Sequence, residues 1–126
     1  MGLFNKKNKE ENSQNIWGGF VFSKNIYKRK PVRFTYREES DNPALNGWTL
    51  YSCDDDDEFV KNPDNFEIVG EDTIRQYASE LLRIFDAPYG TDLCWLYKEH
   101  LGLMHFVGFY DLKADKETNI REILGK

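Results

Sequence analysis

The sequence predicts an α+β domain in which a mainly antiparallel sheet packs against one principal helix, at about residues 71–86. Three observations carry this. Alternation with period 2 runs through "VRFTYR" (32–37) and "WTLYS" (48–52), the mark of half-buried strands. The period then changes: Ile74, Tyr77, Ala78, Leu81, Leu82 and Phe85 recur at the spacing of one helical face. No segment alternates strand with helix in the manner that builds a parallel sheet.

In chain order, residues 1–15 are polar and rich in Lys and Asn, and are expected to form a flexible arm ahead of a domain spanning 16–126. "WGGFVFS" (17–23) is a first strand. In the second, Val32, Phe34 and Tyr36 alternate with Arg33, Thr35 and Arg37. "ESDNPALNG" (39–47) is loop chemistry, punctuated by Asn-Pro and Asn-Gly. The third strand puts Trp48, Leu50 and Ser52 on one face and Thr49 and Tyr51 on the other. An acidic run, an Asn-Pro turn and a short strand, "FEIV" (66–69), follow. Glu71 and Asp72 suit the positive end of the helix, and "DAPYG" (86–90) stops it. "LCWLY" and "LMHFVGFYDL" are two further strands, and "DKETNIREILGK" (115–126) allows a short final helix. The expected core anchors are Trp48, Leu50, Ile74, Leu81 and Phe85.

The chain has 126 residues, 40% hydrophobic and 15% aromatic, enough for one core, and a net charge of -5. That charge disfavours nucleic acid and anionic membrane as partners. It is unevenly spread. Residues 1–33 hold eight bases against Glu10 and Glu11, whereas residues 54–72 hold nine acids against Lys61. Cys53 and Cys94 are isolated, no export segment opens the chain, and no apolar run approaches the roughly 20 residues of a membrane helix, so a soluble cytoplasmic protein is expected.

The run Asp54, Asp55, Asp56, Asp57, Glu58 invites a chemical reading. A calcium loop of EF-hand type needs Gly at its sixth place and Glu at its twelfth; counted from Asp54 these are Phe59 and Asn65. Acid–base catalysis needs two carboxylates held at different pKa values, and five crowded acids in water give no such pair. His100 and His105 are five apart, off the spacing of a helical zinc motif, and Cys94 adds no regular ligand pattern. His105, in an apolar strand, is expected at the core or an edge. No metal, cofactor or catalytic set is therefore predicted. What remains is a solvated loop or a surface that a protein partner reads.

Several short motifs occur together. Ser23 and Ile26 form Ser-x-x-Ile; Arg37-Glu38 follows a strand; Gly47-Trp48 opens the next. Ser52 precedes the acids, Phe59 follows them, and Pro63-Asp64-Asn65 makes a turn. In this order they resemble domain-of-unknown-function family 2185, also described as immunity protein family 33 of bacterial polymorphic toxin systems. The resemblance covers roughly residues 20–90. Cys53 stands where the family pattern has glycine, which puts a positive-φ turn there in question. The resemblance implies a small cytoplasmic inhibitor that binds and neutralises a toxin domain with a basic surface, without enzymatic activity. The acids 54–58, with Arg37, Glu38 and Tyr51 nearby in the sheet, are the expected partner-binding face. A regulatory or housekeeping binding module is the alternative, and an enzyme is the weaker one.

Overall fold

The computed structural model describes residues 16–126; the expected N-terminal arm lies outside the described residues. One mixed sheet of seven strands organises them: β1 (Gly19–Ser23), β2 (Val32–Arg37), β3 (Leu45–Ser52), β4 (Phe66–Val69), β5 (Asp92–His100), β6 (Leu103–Asp111) and β7 (Lys116–Thr118). The order is β4-β1-β3-β2-β5-β6-β7. Every neighbouring pair is antiparallel except β1 and β3, because β3 inserts between β1 and β2 and runs with β1. Three short α-helices, α1 (Asp57–Lys61), α2 (Glu71–Tyr77) and α3 (Ile120–Ile123), and three 3-10 turns complete the described chain.

One sheet face is covered. Phe20 and Phe22 of β1, Trp48 and Leu50 of β3, Leu93 and Trp95 of β5 and Phe109 of β6 are buried against Ile74, Leu81 and Ile84. Ile26 and Ile123 close the two ends of this core. Of the expected anchors, Trp48, Leu50, Ile74 and Leu81 are buried, while Phe85 is half-buried at the rim.

The principal helix at 71–86 is corrected. α2 ends at Tyr77, Ala78 leaves the helical region (φ -151, ψ 47), and Ser79–Ile84 continue as a 3-10 helix. The reason lies in a second spacing. Ala78, Leu81, Ile84 and Ala87 are all buried and stand three apart, and only three residues per turn put such a series on one face.

β2 also departs from simple alternation. Val32 pairs with Ser52 but Phe34 with Tyr51, so Arg33 is an extra residue in a β-bulge. Val32 and Thr35 consequently face the core, while Phe34 turns to the open face. A buried threonine needs a partner, and Trp95 Nε1 donates to Thr35 Oγ1 at 3.1 Å.

β3 keeps the predicted alternation from Trp48 to Ser52 and carries it back to Leu45, so Leu45–Gly47, expected as the end of a loop, belong to the strand. Gly47 sits at φ +94 with Glu38 donating its N–H to the Gly47 carbonyl; a Cβ there would lie 2.3 Å from the Glu38 carbonyl oxygen. The glycine lets the strand turn so that Trp48 enters the core. Trp48→Ala should therefore lower the unfolding free energy by about 3–5 kcal/mol in denaturant titration. Unchanged stability would mean that the core does not hang on this ring.

Candidate functional site

The sequence motifs assemble into two polar hubs. Asp55 is the centre of the first. Its Oδ1 accepts from Ser23 Oγ at 3.0 Å and Asn25 Nδ2 at 2.8 Å, and its Oδ2 accepts from the Ser52 N–H at 2.9 Å. Ser23 and Ser52 are both buried, so a carboxylate joins the end of β1 to the end of β3. Cys53 is not among the positive-φ residues; an Asp55 N–H to Ser52 carbonyl bond of 3.1 Å closes the turn without a glycine.

Arg37 is the centre of the second, on the covered face. Its Nε donates to the Asn46 carbonyl at 2.9 Å, and its Nη1 to the carbonyls of Phe85 at 2.8 Å and Ala87 at 2.9 Å. The guanidinium lies over the Trp48, Phe85 and Tyr89 rings. Expected beside the acids, Arg37 instead points to the opposite side of the sheet and is occupied there.

The acidic run is not an extended loop. Asp56 caps α1, its Oδ1 accepting from the Phe59 N–H at 2.8 Å, and Asp57 and Glu58 fill the first helical turn, where negative charge is favoured. Asp54 is exposed and 3.7 Å from Lys30 Nζ. So Asp55 is committed to the scaffold and Asp56 to the cap, while the carboxylates of Asp54, Asp57 and Glu58 are presented to solvent.

Among the described residues, no helical layer lies over the middle of the second sheet face. Strand pairing places Val21, Thr49, Tyr51, Phe34 and Tyr36 on it, and Phe66 meets the Tyr51 and Phe59 rings edge-on. A groove of about 460 Å³ runs between Val21, Tyr36, Tyr51, Val60, Phe66 and Ile68. A neighbouring hollow at Val21 and Thr49 is bordered by Glu38 and Glu39, whereas Glu67 pairs with Phe22 and its carboxylate accepts from the Tyr27 hydroxyl on the covered side. Tyr36 and Tyr51 hydroxyls stand 3.4 Å apart. Burial pushes the Tyr51 hydroxyl above the usual tyrosine range, helped by the Tyr36 hydrogen bond and by the negative charges of Glu38 and Asp55. Glu38 and Asp55 are thus close enough to Tyr51 to act on its hydroxyl, while Asp54, Asp57 and Glu58 are exposed beyond the end of β3. Sequence reading missed the open face's aromatic floor, Phe34, Tyr36 and Phe66, because exposed aromatics and core aromatics look alike without a register.

The metal candidates are not brought together. Cys94 is buried opposite Tyr110, whereas His100 and His105 lie at the far end of the β5–β6 hairpin, six residues or roughly 20 Å along the strand. The histidine rings are exposed, with centroids 6.2 Å apart. Among the described residues no three His, Cys, Asp or Glu side chains group to hold a metal ion, and no helix is long and apolar enough to cross a membrane.

A small α+β domain with one covered face, one open aromatic face and carboxylates at its border has the build of a protein-binding module. The chain matches the immunity protein Imm33 domain across residues 20–101 and belongs to that family. No curated protein and no solved structure gives a significant match.

The tyrosines generate a pH expectation. Tyr27, held by burial and by a 2.7 Å hydrogen bond to Glu67, is pushed up to about 12, and Tyr51 is raised as well. Folded values above the unfolded value of about 10 mean stability that is fully present below pH 10 and lost as pH rises through the folded values. Denaturant midpoints should hold up to about pH 10 and fall beyond it, less steeply in Tyr51→Phe. A flat profile to pH 12 would contradict the assignment.

Proposed function

We propose that this protein is an immunity protein that neutralises a cognate toxin domain by covering it with the open sheet face. The observation that carries the reading is the aromatic groove of Tyr36, Tyr51 and Phe66, with Glu38 and Glu39 at the adjoining hollow and Asp54, Asp57 and Glu58 exposed beyond the end of β3. Aromatic rings supply buried contact area, and carboxylates around them select a partner that presents Lys or Arg. Family membership supports a protein partner. An inhibitor of this kind acts by occupation, with no catalysis, metal or cofactor of its own, and it works in the cytoplasm where the toxin acts.

The face would act in two stages. The exposed carboxylates attract a basic surface over distance, which raises the association rate and weakens as salt screens the charges. The groove then holds the complex through apolar contact. Arg37 and Asp55 contribute indirectly, by holding the strands that carry Tyr36 and Tyr51.

The test uses a candidate toxin domain taken from the same locus. Asp54→Asn, Asp57→Asn and Glu58→Gln together leave the Asp55 hub and the Asp56 cap intact, so the fold should survive. At low salt the triple variant should associate with the toxin at least about tenfold more slowly, with a flatter salt dependence, and protect cells less well. A folded triple variant that binds as fast and protects as well as the parent would remove the acids from the interface. Failure of the parent to bind or protect would end the reading itself.

A further inference from the structure

The turn joining β5 to β6 has two residues, Leu101 and Gly102, at φ 54 and 79, closed by the pair His100 and Leu103. Two positive-φ residues in a two-residue hairpin mark a type I′ turn, whose first place belongs to Asn, Asp or Gly. A leucine there is strained. It gains nothing from its own fold in return, because Leu101 is 87% exposed. A bulky apolar side chain kept in a strained position and left in water is the kind of local conflict that marks a contact with something else.

The surroundings extend the same pattern. Leu103 and Met104 are 64% and 55% exposed. β7 pairs only with Phe109, Tyr110 and Asp111, so the outer edge of β6 from Leu103 to Gly108 has no strand beside it among the described residues. That stretch, "LMHFVG", carries no formal charge and no proline to guard it. Leu103 lies opposite His100, which shares a face of β5 with Cys94, and Cys94 pairs with Phe34. Leu103 therefore stands on the same open face as Phe34, Tyr36 and Tyr51. The match to the family ends at Leu101, so β6, β7 and α3 lie outside it.

We propose that the β5–β6 tip, with Leu101 at its apex and Leu103 and Met104 behind it, inserts into an apolar pocket of the same toxin domain and fixes which toxin is recognised. This rests on the reading of the open face as toxin-binding. A second copy of the chain is a poor occupant: three side chains on a narrow tip cannot bury the roughly 1,200 Å² of a stable dimer. An anionic lipid surface is poorer, since Lys98 and Glu99 beside the tip cancel and leave it no basic cluster, and the chain carries -5 overall. A pocket in a partner already held by the adjoining face needs no large area of its own.

Leu101→Asn separates the tip's two properties. It installs the residue that a type I′ turn prefers, so the melting temperature should hold or rise by about 2–5 °C. The same change removes the apical apolar contact. Dissociation of the complex with the candidate toxin domain should speed at least tenfold, while the association rate and its salt dependence stay near the parent's. The triple acid variant should show the opposite split. If Leu101→Asn dissociates as slowly as the parent while the acid variant still slows association, the tip proposal is overturned and the open-face reading stands. If the parent fails to bind the toxin domain, both fall. A lower melting temperature for Leu101→Asn would overturn the claim that the turn is strained for the sake of contact.

Discussion

The carbonyl oxygen of Phe85 accepts two hydrogen bonds, one from Arg37 Nη1 and one from Trp48 Nε1, and the rest of the architecture is arranged around that point. The 3-10 segment ends there, and the last carbonyls of a helical segment lack partners of their own. Arg37 supplies a cation where the backbone dipoles present their negative ends, and its fork reaches the Ala87 and Asn46 carbonyls as well. Trp48 brings the centre of the sheet to the same atom. Loss of either partner would leave backbone acceptors poorly satisfied at the core's rim, which costs more than the bond itself contributes. The covered face is thus tied to its helical layer by a polar clamp as well as by apolar burial.

That clamp explains why the most legible motifs belong to the scaffold. Arg37-Glu38 and Gly47-Trp48, read as separate signatures, are one junction: the Glu38 N–H meets the Gly47 carbonyl, and Arg37 lies over Trp48. Ser23, Ser52 and the acid Asp55 are another. Such residues need fixed partners and so form recognisable patterns. A contact surface of the kind proposed needs only shape, apolar area and charge, which Tyr36, Phe66 and Glu38 would provide without any distinctive spacing.

Six of the seven strands were legible because period 2 survives wherever a strand stays regular, as β3 does, whereas the three residues of β7 are too few to show a period. Two features escaped. The bulge at Arg33 reverses the face of every later residue in β2, and alternation carries no mark of an inserted residue. The series Ala78, Leu81, Ile84 and Ala87 was visible, but it overlaps a 3.6-residue series that includes Ala78 and Leu81, and the two periods differ too little over one segment to be told apart. The acids 54–58 were legible as charge. Asp56 as a cap and Asp55 as a buried-serine partner follow only from where the chain turns, and that depends on β1 standing beside β3.

A sheet with one face open faces a standing hazard of association with its own kind, and this chain limits it unevenly. β4 and β7 are edge strands of four and three residues, too short to template much pairing. Carboxylates border the groove, and a charge of -5 holds copies apart in solution. The same charges that discourage a like partner would favour a basic one, so on the proposed reading protection from self-association and selection of a partner come from the same residues. The β5–β6 tip lies outside this protection, neutral along β6 and apolar at its apex. Its exposure is tolerable because it is narrow: too little area for self-assembly, yet enough to add to a face that has already made contact. On the proposed reading, the exposed carboxylates set how fast a partner arrives, and the groove and the tip together set how long it stays.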